Sequence, residues 1–216
     1  HHSDICALFM YGVNPRTGDQ YMYVEGGLGG WGGRINEDGE GALMTLINGD
    51  TRNTPVEVVE SRFPVLVGKS ELVIDSGGPG KFRGGLGYER VYSPVDHSPD
   101  INLYVERSKN PAWGLFGGKK GSNNICLVKQ SSNEPMTVLL KAARFNLKST
   151  AQVRIRPGGG GGYGDPLERS PELVQSDVLN GYVSLESSLR DYSVILDSET
   201  LAIDYEKTIK MRADRS

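Results

Sequence analysis

The stretch Arg156-Pro-Gly-Gly-Gly-Gly-Gly-Tyr-Gly-Asp-Pro166 decides how this chain is read. It joins a strand-like run, Ala151-Gln-Val-Arg-Ile-Arg156, to a helix-start signal at Ser170-Pro171-Glu172. Five glycines between strand and helix suggest a phosphate cradle, yet the chemistry of one is missing. A P-loop needs a lysine to neutralise phosphate charge and a hydroxyl to bind magnesium, and residues 157–169 supply neither in that place. A dinucleotide fingerprint needs the helix to begin on the last glycine, whereas Tyr163-Gly-Asp-Pro-Leu-Glu-Arg169 intervenes. The favoured reading is architectural. Residues without Cβ let the backbone reverse and pass against another backbone. Tyr163 supplies an aromatic anchor, and Asp165 can bond nearby amides before Pro166 fixes the exit. Gly160, Gly162, Tyr163, Gly164 and Asp165 are thus expected to form a structural glycine loop. A loop lining a site built with other segments is the alternative.

Downstream, the signals are helical. Ser170 is a good N-cap, Pro171 suits the first helical position and Glu172 the positive helix end. The spacing predicts a helix over 171–179, stopped by Asn180-Gly181. Ser184 caps a second helix, with Leu185, Leu189 and Tyr192 along one face. Val194-Ile-Leu196 and Leu201-Ala-Ile203 predict a small hairpin, and 204–215 a last polar helix. Upstream, the chain is strand-like. Tyr21-Met-Tyr-Val24 follows the turn signal Asn14-Pro-Arg-Thr-Gly18. Val65-Leu-Val67, Glu71-Leu-Val-Ile74, Gly87-Tyr-Glu-Arg-Val-Tyr92, Asn102-Leu-Tyr-Val-Glu106, Ile125-Cys-Leu-Val128 and Met136-Thr-Val-Leu-Leu140 are short β-type runs. The expected fold is α+β and predominantly β: a Gly-rich β-sheet body over 1–166, and C-terminal helices with a hairpin over 167–216.

The 216 residues include 29 glycines, roughly twice the usual ~7% share. They cluster at 26–33, 77–87, 117–121 and 158–164, which means close backbone approaches rather than a flexible polymer. Net charge is -3 and the basic residues are dispersed, which excludes the basic stripe of a nucleic-acid binder. No run approaches the ~20 apolar residues of a membrane helix, and no signal peptide opens the chain. Cys6 and Cys126 lack metal-ligand spacing; a single disulfide is the alternative, but two buried thiols of a reducing cytoplasm are preferred. The opening His1-His2-Ser3 is either a tag remnant or the inside of a longer protein; the second is preferred.

Three constellations merit weighing as chemistry. Asn53-Thr-Pro-Val-Glu-Val-Val-Glu-Ser-Arg-Phe-Pro64 contains a strand-like run flanked by Glu57 and Glu60; a helical conformation would instead put the two on one face, with Glu60 in reach of Arg62 or Arg52. Paired carboxylates can do acid–base work, although ion pairing is the commoner use. In Asp75-Ser-Gly-Gly-Pro-Gly-Lys-Phe-Arg-Gly-Gly85, Asp75 with Lys81 and Arg83 could hold an anion, or an Asp–Arg bond could tie a tight loop. Arg107 and Trp113 are placed to stack. No metal site is expected: His97 has no zinc spacing, and Asn36-Glu-Asp-Gly-Glu40 is too short for a calcium loop. No nucleophile–base arrangement is complete.

Taken together, six motifs in order resemble the C-terminal part of the hydantoinase B/oxoprolinase family. They are Tyr23-Val-Glu-Gly-Gly with Gly30-Trp-Gly-Gly33; Asn53-Thr-Pro-Val-Glu-Val-Val-Glu60 with Arg62-Phe-Pro64; Asp75-Ser-Gly-Gly-Pro-Gly-Lys-Phe-Arg-Gly-Gly-Leu-Gly87; Pro111-Ala-Trp-Gly-Leu-Phe-Gly-Gly118; Pro157-Gly-Gly-Gly-Gly-Gly-Tyr-Gly-Asp-Pro-Leu-Glu-Arg169; and Val183-Ser-Leu-Glu-Ser-Ser-Leu-Arg-Asp-Tyr192. The glycine run is one longer than usual for the family. The resemblance implies a component of a multi-subunit ATP-dependent enzyme that hydrolyses a lactam or hydantoin ring through a phosphorylated intermediate. A component of an acetone or acetophenone carboxylase is the runner-up. It also implies ATP and Mg on a hydantoinase A-like partner subunit, a divalent metal in the N-terminal part of the B-type subunit, and neither on this chain. Glu60, Asp75 and Arg83 sit in matching motifs and are candidates for the wall of a small-molecule site. Two readings of another class stay open: an architectural fragment with all chemistry elsewhere, and a small-anion binding module.

Overall fold

A computed structural model describes residues 6–43 and 53–215 of the chain. The opening His1-His2-Ser3 and Arg52 lie outside the described residues. The fold is α+β and mostly β. β1 (Cys6–Val13), β2 (Gln20–Gly27), β5 (Asp100–Val105) and β8 (Lys141–Asn146) form a four-stranded sheet in the order β2-β1-β5-β8. β3 (Val65–Leu72), β4 (Tyr88–Pro94), β6 (Ile125–Lys129), β7 (Thr137–Val138) and β9 (Gln152–Arg156) form a second sheet in the order β3-β4-β9-β6-β7. Their pairings are antiparallel.

The two sheets face each other because alternate residues of their strands are apolar. Leu8, Met10, Ile101 and Leu103 of the first sheet meet Tyr92, Cys126, Val128, Val153 and Ile155 of the second in one buried cluster. Helix α1 (Val56–Arg62) closes the cluster with Val59. Both cysteines are free and buried there, and burial pushes each thiol up to about 12.

Several expectations need adjusting. Residues 53–64 contain a helix rather than a strand. The run at 65–67 and the first half of that at 71–74 belong to one strand, β3, with an irregular register between Val67 and Lys69; Val73 and Ile74 lie beyond its end. Of 136–140, only Thr137–Val138 is β. The turn at 14–18 is present, with Gly18 N bonded to Asn14 O at 2.8 Å.

The C-terminal elements follow their caps. α2 spans Pro171–Leu179 and α3 Leu185–Tyr192, with the Ser170 and Ser184 hydroxyls accepting from Leu173 N and Ser187 N. A Leu196–Ile203 bridge forms the hairpin, and α4 (Tyr205–Ala213) starts at an Asp204 cap. Val174, Val183, Tyr192 and Val194 make a second, smaller core. The expected apolar face of α3 is wrong in part: Ser187, Ser188 and Tyr192 are buried, whereas Leu185 and Leu189 are exposed. Among the described residues no helix is long and apolar enough to cross a membrane.

Candidate functional site

Between the sandwich and the helices, the glycine segments come together. The run 158–162 does not reverse direction, and it lacks the left-handed φ that a glycine turn would show; the first glycine of the stretch with positive φ is Gly164, at +74°. It runs straight, alongside neighbouring segments. Gly158 O accepts from Gly30 N at 2.9 Å, and Gly161 O from Gly33 N at 2.8 Å, so residues three apart serve the same neighbour. That three-residue period is characteristic of polyproline-II-type extended chain.

Glycine is required because of what surrounds each position. A Cβ on Gly158, Gly159, Gly160, Gly161 or Gly162 would lie 1.9–2.1 Å from the carbonyl oxygen of Ser122, Ser76, Trp31, Trp113 or Pro79, respectively. These partners are backbone and cannot swing aside. The expected close approach is therefore present, but with several segments at once, and the expected reversal is not. What matters at these positions is the missing side chain rather than an unusual φ.

Six amides of the stretch bond to protein acceptors. Gly158 N donates to Asn124 Oδ1 (2.6 Å), Gly159 N to Ser122 Oγ (3.1 Å), Gly160 N to Gly85 O (3.0 Å), Gly162 N to Lys119 O (2.9 Å), Tyr163 N to Phe82 O (2.9 Å) and Gly164 N to Leu115 O (2.9 Å). A phosphate cradle needs convergent amides free to donate to the ligand. This arrangement does not fit one. Asp165 bonds Leu167 N at 2.9 Å and caps the short 3-10 turn Pro166–Glu168.

Beside the bundle sits a buried charge cluster. Arg169, 1% exposed, lays both terminal nitrogens on the Asp38 carboxylate at 2.7 Å and reaches Asp177 of α2 at 2.8 Å. Arg83, also buried, places Nε 3.4 Å from Asp177 and donates through its backbone N to Asp38 at 2.7 Å. Burial pushes the Asp38 carboxyl up, but bonds and charge from Arg169, with Arg83 behind them, outweigh it and hold it below its ordinary value. Burial likewise pushes the nearby Tyr192 hydroxyl up. Arg212 of α4 donates to the Arg169 and Tyr192 carbonyls at 2.8 and 3.1 Å. The cluster ties a glycine segment, the 38–39 loop and the C-terminal helices together.

The sequence-derived candidates separate. Arg83 faces this cluster and lies 5.3 Å from the Tyr182 ring centroid. Asp75, at φ 61°, meets the same segment elsewhere: its N donates to Tyr182 O (3.1 Å) and its Oδ1 accepts from Ser184 N (2.8 Å). The Asp–Arg tie anticipated within this element is not formed: Arg83 pairs with Asp38 and Asp177, from outside it, while Asp75 holds the Ser184 amide. Lys81 instead pairs with Glu168 at 3.1 Å. Glu60 sits apart on α1, where Oε1 accepts from Val67 N at 2.9 Å and its carbonyl from Arg16 at 3.2 Å. Arg107 does stack on Trp113, at 5.5 Å.

An open cleft of about 510 Å³ lies at the end of the bundle, lined by Ile35, Asn36, Lys81, Phe116, Tyr163 and Glu168 among others. Phe116 is 77% exposed, at φ 51°, and its ring centroid is 5.1 Å from that of Tyr163. This wall can hold an apolar or aromatic group. Among the described residues, no group of three or more His, Cys, Asp and Glu is placed to hold a metal ion. Sequence reasoning missed Asp38, Arg169 and Asp177; the one available signal was Arg169, which closes the quoted 157–169 motif.

Comparison with known proteins converges on one family. Residues 1–166 match the family model of hydantoinase B/oxoprolinase. The chain is similar to the B-type component of a putative D-/L-hydantoinase from a Pseudomonas species, at 36% identity over 89% of this chain and 32% of that one. It is similar to the beta chain of the caprolactamase from Pseudomonas jessenii, at 32% identity over 86% and 33%. The crystal structure of the ATP-dependent caprolactamase from Pseudomonas jessenii superposes with a TM-score of 0.77 at 26% identity, covering 99% of this chain and 37% of that one. A nucleotide-free acetone carboxylase shares the fold, with a TM-score of 0.81 at 19% identity, over 97% and 32%. The chain spans about a third of the length of the curated relatives it matches.

Proposed function

The chain belongs to the hydantoinase B/oxoprolinase family, and on that premise we propose that it is the architectural glycine-bundle part of a multi-subunit ATP-dependent enzyme that opens a lactam or hydantoin ring. One observation supports the architectural assignment: the glycine-run amides named above bond separate protein acceptors and so do not converge on a shared anion. In this reading ATP and Mg belong to a hydantoinase A-like partner, and a divalent metal to the N-terminal part of the B-type subunit. ATP would supply activation by phosphorylating the ring carbonyl oxygen with release of ADP; water would then add to the activated carbon, the ring C–N bond would break with the nitrogen taking a proton, and hydrolysis of the resulting acyl phosphate would release inorganic phosphate carrying the ring oxygen. Glu60, Asp75 and Arg83 enter only as wall or scaffold residues, and the division at 166/167 separates the bundle-bearing body from the helices that clamp it. Ring hydrolysis ranks above ketone carboxylation because relatives named for cyclic amides reach 36% and 32% identity, against 29% for the acetophenone carboxylase delta subunit of Aromatoleum aromaticum.

The test uses the native complex, assayed on hydantoin, 5-oxoproline and caprolactam with ATP-Mg. The reading expects ring opening coupled to ATP turnover, with ¹⁸O from the labelled ring carbonyl appearing in inorganic phosphate. ATP turnover that needs a ketone plus bicarbonate would move the assignment to carboxylation. ATP turnover with neither class of substrate would end it.

A further inference from the structure

The outward faces of the two sheets differ in chemistry. The outer face of the β3-β4-β9-β6-β7 sheet carries a charge cluster, set beside Val91 and Leu127. Glu89 gathers Lys69 at 3.0 Å, Arg154 at 3.8 Å and Arg156 on one side of neighbouring strands. The outer face of the β2-β1-β5-β8 sheet is apolar along β1 and β2, while β5 places Asn102 opposite Phe9 and Asp100 opposite Tyr11. Register places Phe9 opposite Val24 and Tyr11 opposite Met22, and Ala7 opposite Tyr104 on the other flank. The inward residues of these strands, Leu8, Met10, Tyr23 and Leu103, are already buried in the sandwich. Met22 and Val24 stay 60% and 50% exposed, and Tyr104 41%.

An antiparallel sheet with one wet face alternates apolar and polar residues; near-continuous apolar strands belong to sheets covered on both sides. Two shallow depressions, about 570 Å³ beside Phe9 and Tyr104 and about 500 Å³ beside Tyr11 and Met22, offer room for incoming side chains. Polar groups rim the patch: Lys141 lies over the Tyr104 ring at 5.3 Å, and the Tyr104 hydroxyl donates to Glu106. An apolar centre inside a polar rim is the anatomy of a protein interface.

We infer that this face is the seat of the companion portion of the B-type subunit, the two thirds of the family's length that these residues do not account for. The relatives' length argues for that occupant, because the chain covers only 32% and 33% of them. The inference rests on the family reading above, but not on the reaction catalysed. The incoming layer is apolar where it meets β1 and β2 and polar where it meets Asn102 and Asp100 of β5.

Met22 is the natural reporter, since thioether oxidation follows exposure. The native complex is treated with hydrogen peroxide, and Met22 oxidation is followed by peptide mass spectrometry against the same complex unfolded in denaturant. The expected result is Met22 oxidising about tenfold or more slowly in the native complex, together with loss of the companion from a Val24→Asp complex. A Met22 rate within about twofold of the unfolded reference overturns the inference. Protection in an assembly containing only copies of this chain also overturns it. Ring-opening activity does not enter the readout, so failure of the proposed reaction with Met22 protected would leave the interface standing.

Discussion

The β sandwich and the glycine bundle are built on opposite packing rules. In the sandwich, strands sit apart and side chains such as Leu8, Ile101 and Val153 fill the space between sheets. In the bundle, backbones touch and side chains are excluded: the nearest atoms to a hypothetical Cβ at Gly84 are those of Gly160, and at Gly160 those of Trp31. A side-chain core can relax around a smaller residue. A backbone core has nothing that can move aside.

The sharpest way to break that contrast is Gly160→Ala. Its Cβ would fall 2.0 Å from Trp31 O, so loss of folded protein is expected, beyond roughly 4–5 kcal/mol. Soluble yield and the thermal melt decide it, and a variant with a native melt would break the comparison. Next comes the charge cluster that fastens the bundle to the helices. Arg169→Met removes the closest cation from Asp38 and Asp177, leaving them Arg83 alone, and should cost about 3–5 kcal/mol by urea unfolding. Replacing Asp38 by Leu in the same chain should recover part of that loss.

The same cluster predicts a pH response. Asp38 is held below its ordinary value, so its contribution is full above the unfolded carboxyl pKa of about 4 and is lost as pH falls through the lower folded value. Thermal melts from pH 7 to pH 3 should fall more steeply in the parent than in Asp38→Asn. In the sandwich, Leu8→Ala should cost about 2–5 kcal/mol and leave a folded protein, because neighbours can partly collapse. The smallest effect is expected at Gly68, where a Cβ meets nothing within 4 Å. Gly68→Ala should change stability by no more than about 0.5 kcal/mol. A large loss there would mean that glycine matters in this chain for reasons other than contact.

Legibility followed the same divide. Helix caps are local chemistry, so Ser170-Pro171 and Ser184 placed α2 and α3 correctly from sequence. Strands with alternating β-branched residues, such as β9, were equally plain. β1 and β8 were not. Cys6-Ala-Leu-Phe-Met-Tyr-Gly-Val13 mixes helix and strand formers, and Lys141-Ala-Ala-Arg-Phe-Asn146 has little β preference and sits at a sheet edge. The glycine run was legible as a close-approach element but not as a straight one, because backbone-to-backbone contacts leave no residue-specific signature in the partner segments. Leu185 and Leu189 show the reverse failure: helical periodicity marks an apolar face without saying whether this chain or another covers it. Arg169 escaped notice because arginines are seldom buried, and its partners lie 131 and 8 residues away in the chain.

The central claim is that the glycine run is backbone architecture rather than a nucleotide loop, and amide hydrogen exchange across 158–164 in the native complex tests it most directly. The account predicts that these amides exchange as slowly as those of β9 in the sandwich and that saturating ATP-Mg leaves their rates unchanged. Fast exchange without nucleotide, slowed selectively by ATP-Mg, would contradict it and return the run to the phosphate-binding role that its sequence first suggested.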